Sequence, residues 1–322
     1  MDIHERAVEY LKQIETVMAW PQMEETLELM TKPKPRGWEL ATLACGAVGG
    51  SEQDGVPAAA AIACLQIAII LIDDMLDRDP RGVHHRIGKE AAANLASAFQ
   101  AAGLSAIEVS HLDTAKKLEA INRLNEMMLI TAYGQSLDVV NPDNEADYWE
   151  MVRAKSSPYS AAMLSVGALC GGASSAVAEK MDALGALYGE LIQVHDDFKD
   201  AMAIPVNPDW TEGRNSLPIL FAAVVDHPER DRFLELRGQV GEDEEALREA
   251  QDILIRCGAI SYCVDQMTRR YQKACRMIDE IALPKPEKVQ SMFEEVVEPV
   301  REVLRTLDMA IPEALVRSSQ AA

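Results

Sequence analysis

The chain has 322 residues, with 31 Lys plus Arg against 52 Asp plus Glu and a formal charge of −21. At 48% hydrophobic residues it is too apolar for a disordered chain, and it is long enough to bury a core without disulfide staples. The acidic balance excludes a general nucleic-acid binder, and an anionic ligand would need local cations or a metal to hold it.

Read along the chain, apolar residues recur at helical spacing almost everywhere, without strand alternation. The pattern predicts helices over 2–19, 22–31, 38–48, 56–78, 89–110, 113–139, 145–155, 159–171, 174–202, 216–225, 228–237, 242–257, 259–282 and 286–310. Prolines such as Pro33, Pro35, Pro80, Pro142 and Pro205 sit at the breaks, and Pro228 is placed in the first turn of its helix. Connectors are short, so one all-α domain over 1–322 is expected, fraying from about residue 314. The segment 202–216 reads as a loop able to cover a site.

Helix 56–78 is apolar on all sides and is therefore expected to be buried on all sides. Its apolar run, 58–72, reads as too short to span a membrane. The polar start of the chain carries no leader pattern. Six cysteines without a CxxC pair read as structural thiols of a reducing compartment. A soluble cytoplasmic protein without a transmembrane segment is the expectation.

The strongest chemical signal is Asp73-Asp74-Met75-Leu76-Asp77. Asp73 and Asp77 are four apart and share one helix face, about 6 Å from each other at the backbone. Like charges at that spacing destabilise a lone helix, and a hard cation such as Mg²⁺ relieves them through carboxylate oxygens. The arrangement recurs at Asp196-Asp197-Phe198-Lys199-Asp200, again ending a long apolar helix. Facing helices would bring six carboxylates around one cavity. Asp79 reads as solvated loop charge. His84, His85 and His195 read as surface or orienting residues, since Mg²⁺ favours oxygen.

With these residues in view, the sequence resembles the trans-isoprenyl diphosphate synthases, or polyprenyl synthetases. Their first aspartate-rich motif resembles Asp73–Asp77, and the second resembles Gln193-Val194-His195-Asp196-Asp197-Phe198-Lys199-Asp200. A basic residue before Leu-Pro is matched by Arg214 ahead of Leu217-Pro218, and an intermediate lysine by Lys155-Ser156. Gly134–Asp138, Tyr271 and Ala274 fit weaker family patterns.

The resemblance spans roughly 30–285 and implies an isoprenoid-synthase-type helical bundle around a central cavity, usually a homodimer. It implies three Mg²⁺ ions per site, held by Asp73, Asp74, Asp77, Asp196 and Asp200, with Asp197 beside them. The metal would bridge to an allylic diphosphate. Ionisation would leave an allylic cation that the isopentenyl diphosphate double bond attacks, and proton loss would complete a chain one C5 unit longer.

Arg81, Lys155, Lys199 and Arg214 are the candidate diphosphate cations, since guanidinium and ammonium groups neutralise charge as it develops on the leaving group. After the first motif, only Arg81 remains of the family's arginine pair. The other departures lie on the second substrate's side. In the basic motif that holds isopentenyl diphosphate, Lys34 falls on the lysine, whereas Pro35 and Gly37 replace the arginines and Arg36 stands between them. Gln66 keeps its family place for that ligand.

Ala68, five residues before Asp73, stands where short-chain members carry an aromatic. With Ile69 and Leu65 it is the expected chain-length wall, giving products of C15 to C25. The leading expectation is thus an Mg²⁺-dependent prenyltransferase condensing an allylic diphosphate with isopentenyl diphosphate. Alternatives are a terpene cyclase or prenyltransferase using the allylic diphosphate with another acceptor, and a non-catalytic subunit of a heteromeric synthase.

Overall fold

The computed structural model describes residues 1–306, and the expected fraying from residue 314 lies outside the described residues. The described residues form helices joined by turns and loops, with no strand among them. In chain order they begin with α1 (Ile3–Leu11), α2 (Glu15–Met18), α3 (Pro21–Thr31), α4 (Arg36–Ala47), α5 (Glu52–Leu76) and α6 (His84–Ile87). Next come α7 (Lys89–Glu108), α8 (Thr114–Val140), α9 (Glu145–Lys155), α10 (Ser157–Cys170) and α11 (Ser175–Ala201). The last are α12 (Pro208–Thr211), α13 (Leu217–Val224), α14 (Arg230–Arg237), α15 (Glu244–Arg256), α16 (Ala259–Ile281) and α17 (Glu287–Thr306).

The expected all-α class is therefore the observed one, with local corrections. The single helix expected over 2–19 is two, because the chain breaks between Lys12 and Ile14. The short helices α6 and α12 fall in stretches read as loop. Pro228 lies outside its helix, which is capped at Glu229 and starts at Arg230. Helix α5 begins four residues earlier than the apolar pattern, at a capping box in which Ser51 and Asp54 satisfy each other's backbone N–H groups.

That longer α5 corrects the membrane argument too. At 25 residues it is long and apolar enough to cross a bilayer, but 78% of its apolar window is buried inside the bundle. Protein, not lipid, covers it: α4 and α7 pack along its length, and α10 adds a further side.

Helix α10 is buried almost throughout and lies along α11, with only Gly171–Ser174 between them. Small residues permit this approach. A Cβ at Gly185 would come within 2.3 Å of the Ser160 carbonyl oxygen. The main core spans α1 to α11 and extends to α13, α16 and α17. A second apolar cluster, with Trp210, Phe233, Leu247 and Ile253 at its centre, is built by α12 to α15 around the C-terminal end of α11. The six cysteines are all free.

Candidate active site

Where the ends of α5 and α11 meet α8 and α9, a cavity of about 470 Å³ opens, and the segment 207–216 forms part of its wall. Its lining includes Asp77, Asp138, Lys155, Asp197, Asp200 and Arg214. Helix α5 stops at its rim. Asp77 caps it, Arg78 takes a positive φ of 55°, and Pro80 follows.

The first motif is wired to cations from other helices. Asp73 accepts a short hydrogen bond from Gln135 Nε2 and lies 3.4 Å from Lys155 Nζ. Lys155 makes a closer contact, 2.6 Å, with Asp138. Burial alone would lower the Lys155 pKa, but Asp138 and Asp73 outweigh it and the ammonium is held charged. Arg214 Nη2 donates to Asp77 at 2.6 Å, and its Nη1 donates to the Asp138 carbonyl at 3.2 Å. Asp138 thus joins Lys155 to Arg214. It carried a weak signal in the Gly134–Asp138 stretch, but nothing in that stretch revealed the bridge.

Burial and mutual repulsion raise several of the motif carboxyls. Burial pushes the Asp74 carboxyl up to about 6, helped by Asp79 and Asp73. Burial also raises Asp73 and Asp200, with Asp196 adding to the latter. Neither Asp74 nor Asp200 makes an ion pair among the described residues. Asp196 is exposed and, among the described residues, its one side-chain hydrogen-bond or ion-pair partner is the His195 ring, at 3.2 Å. Asp209, on α12, is a carboxylate that sequence reading missed; burial and Asp200 raise it.

Asp197 differs from its neighbours. It is buried and accepts three hydrogen bonds: from Tyr148 Oη at 2.7 Å, Gln193 Nε2 at 2.8 Å and the Leu217 N–H at 2.7 Å. Burial still lifts it to about 6 against those three donors. Gln193 is itself held by Ser156 Oγ at 2.6 Å. Asp197 therefore ties α11 to α9 and to the start of α13.

The all-oxygen donor set, with Asp74 and Asp200 lacking a cation, fits a hard divalent ion. No three metal-ligating side chains already converge as a cluster among the described residues. Lys155 and Arg214 pair with first-motif carboxylates and with Asp138.

Other expected residues lie elsewhere. Arg81 stands at the cavity mouth with its side chain 88% exposed, turned back onto Asp79 at 2.7 Å. Asp79 is consequently not free loop charge: it also accepts the Arg81 N–H, and its carbonyl meets His85 Nε2. Lys199 is exposed beside Asp200. Lys34 lines a separate cleft of the N-terminal helices and pairs with Asp2 at 2.7 Å. Arg36 is gripped by Glu39 and, through Nη2, by both oxygens of Glu295 at 2.6 and 2.7 Å. Gln66 accepts from the Trp38 indole at 2.8 Å. Leu65 and Ala68 are fully buried and Ile69 is half-buried; none of the three lines the cavity.

The sequence profile of the polyprenyl synthetase family matches residues 36–254. A geranylgeranyl diphosphate synthase of Methanosarcina mazei is 30% identical over 236 residues, covering 68% of this chain and 71% of its own. A geranylfarnesyl diphosphate synthase of Aeropyrum pernix is 27% identical over 251 residues, 72% of this chain and 78% of its own. The crystal structure of a geranylgeranyl pyrophosphate synthetase from Pyrococcus horikoshii superposes with a TM-score of 0.77 at 20% identity, over 92% of this chain and 98% of that one.

Proposed function

The chain belongs to the polyprenyl synthetase family, and on that premise we propose that it is a prenyltransferase joining an allylic diphosphate to isopentenyl diphosphate. The observation that carries this reading is the meeting of two aspartate-rich helix ends with Lys155 and Arg214 in one cavity. Relatives named for geranylgeranyl and geranylfarnesyl products support the upper part of the C15 to C25 range, and an octaprenyl diphosphate synthase of Escherichia coli also matches.

Asp73, Asp74 and Asp77 on α5 would hold Mg²⁺ together with Asp196 and Asp200 on α11, three ions per site. Bound there, Mg²⁺ supplies Lewis-acid neutralisation of the diphosphate as a leaving group. Lys155 and Arg214 would stabilise the same charge from the protein side, reorienting from the carboxylates they now meet, Asp138 included. Guanidinium offers the diphosphate a two-pronged grip, while Lys155 acts as a point charge. Gln193 and Asp197 hold the wall in register. Arg81, at the mouth, and Lys199, beside Asp200, would contribute further cations toward the diphosphate.

Lys34, Arg36 and Gln66 are assigned to the isopentenyl diphosphate side. The pairing of Lys34 with Asp2 and of Arg36 with Glu39 and Glu295 favours a second reading, in which the allylic diphosphate reacts with a different acceptor or cyclises. A homodimer is also proposed. Leu118, Leu129, Tyr133 and Val140 of α8 are large, exposed and apolar, and a second copy would cover them.

The test is incubation with Mg²⁺ and dimethylallyl, geranyl, farnesyl or geranylgeranyl diphosphate, each with and without labelled isopentenyl diphosphate. Longer labelled diphosphates are expected. Hydrocarbons or alcohols from the allylic substrate alone would replace this reading with the second.

A further inference from the structure

Arg237, on α14, forms no ion pair among the described residues. Arg232 and Arg256 pair with Glu249 and Glu229, each at 2.7 Å, whereas Arg230, also on α14, donates to the single carbonyl of Ala223 at 2.6 Å. Arg237 instead donates from Nη2 to two backbone carbonyls, Gly213 at 2.8 Å and Arg214 at 2.9 Å. Burial lowers its pKa, and no carboxylate opposes that shift. In a chain with 52 acids and 31 bases, an arginine reserved for peptide oxygens needs a reason.

The two carbonyls belong to the loop that carries Arg214 into the cavity. A second residue holds the same loop. Asn141, at the end of α8, donates from Nδ2 to the Gly213 carbonyl at 2.9 Å and accepts the Asn215 N–H at 2.8 Å. Asn215 Nδ2 returns to the Pro142 carbonyl at 2.7 Å. Gly213 needs this support, because its φ of +71° is open to glycine but costly for most residues, and its own side chain can anchor nothing. With residues 213–215 held by Arg237 and Asn141, the Arg214 guanidinium is free to reach Asp77 and Asp138 without the backbone drifting.

We propose that Arg237 is a positioning residue that fixes the loop backbone so that Arg214 meets the diphosphate in a set orientation. The proposal rests on the reading of Arg214 as a diphosphate ligand. Arg237 itself lines no part of the cavity and touches no reacting atom. The second apolar cluster, to which α14 contributes Phe233 and Leu236, thereby serves as the rigid platform behind the loop.

The test is a double-mutant cycle on the full chain, read as the affinity for inorganic pyrophosphate in the presence of Mg²⁺ by calorimetry, with melting temperature as the fold control. Arg237→Gln is expected to weaken pyrophosphate by about tenfold while the protein melts close to wild type, since hydrogen bonds from a charged donor are being lost. Arg214→Ala is expected to weaken it at least as much. The double variant should bind no more weakly than Arg214→Ala alone, because Arg237 acts only through Arg214. Arg237→Lys, which keeps charge and stem, should recover part of the loss. If Arg237→Gln melts early, the cycle is read with Arg237→Lys. Wild-type affinity in the Arg237 variants, or losses that multiply in the double variant, would overturn the proposal, as would a wild-type chain that does not bind pyrophosphate. A wild-type chain that elongates nothing but shows this binding pattern would overturn the proposed reaction and leave the role of Arg237 standing.

Discussion

Arg214 Nη2 lies 2.6 Å from Asp77 Oδ1, across 137 positions of sequence. The guanidinium proposed to hold a diphosphate is thus held by a carboxylate proposed to hold Mg²⁺. Each partner holds the other in place until substrate arrives. Arg214→Ala should lower kcat/KM for the allylic diphosphate by about 10²- to 10³-fold, the usual cost of one preorganised charge-stabilising donor. Arg214→Lys should recover only part of it, because an ammonium cannot meet Asp77 and the Asp138 carbonyl with one planar group. Steady-state kinetics decide; unchanged kcat/KM in the alanine variant removes Arg214 from the site.

Asp73→Ala and Asp196→Ala should each abolish turnover while far-UV circular dichroism stays nearly unchanged. Asp196 is exposed, so its loss removes no packing. Asp73 releases Gln135, but Lys155 keeps its closer partner Asp138. Full activity in both variants would refute the metal assignment.

Both acidic motifs were legible because they are local: Asp73 with Asp77, and Asp196 with Asp200, are set by helical spacing alone. The helices were legible for the same reason. The misses were short turns and ends, such as the unmarked break at Lys12–Ile14 and the four-residue helices α6 and α12. What spacing cannot carry is partnership across the fold. Asp138 between Lys155 and Arg214, Tyr148 on Asp197, and Glu295 on Arg36 join residues 17 to 259 positions apart. Each depends on which helices pack together. Asp197 shows the difference within one motif: its sequence neighbours share its chemistry, but it alone is buried and saturated with donors.

Gly134 is where packing sets the site. A Cβ there would stand 2.3 Å from both the Ala154 carbonyl carbon and the Lys155 backbone nitrogen, so α8 and α9 touch through it. Gly134→Ala must push α9 outward and carry Lys155 away from Asp138 and Asp73. We expect a stability loss of about 1–3 kcal/mol by overpacking, with a fall in turnover larger than that loss explains. Denaturant unfolding and kinetics on the same preparation separate the two.

Tyr148→Phe tests the buried end of the network. The hydroxyl bonds Asp197 at 2.7 Å inside the protein, and the ring keeps its edge contact with Trp149 in either residue. Removing it leaves Asp197 with Gln193 and Leu217 only, at a cost of about 1–3 kcal/mol for an under-satisfied buried charge. Chemical denaturation should register that loss, and a variant as stable as wild type would mean that Asp197 does not depend on this donor.

Ala68→Phe addresses product length. Ala61, Leu65 and Ala68 fall on one stripe of α5 by helical spacing, and the first two face α7 closely: a Cβ at Gly103 would lie 3.0 Å from Leu65 and 3.1 Å from the Ala61 carbonyl. Ala68 is fully buried on that stripe, so a phenyl ring has no vacant space and must displace neighbours. Ile69 is half-buried, closer to the stripe of Gln66 and Asp73 that leads toward the motif. Ala68→Phe should therefore shorten the product and also destabilise the fold by about 1–3 kcal/mol. Ile69→Phe should shorten it with less loss of stability. Product chromatography and melting curves read both effects. A shorter product from Ile69→Phe alone would move the chain-length wall one residue along the helix, and unchanged products in both variants would place it on another helix.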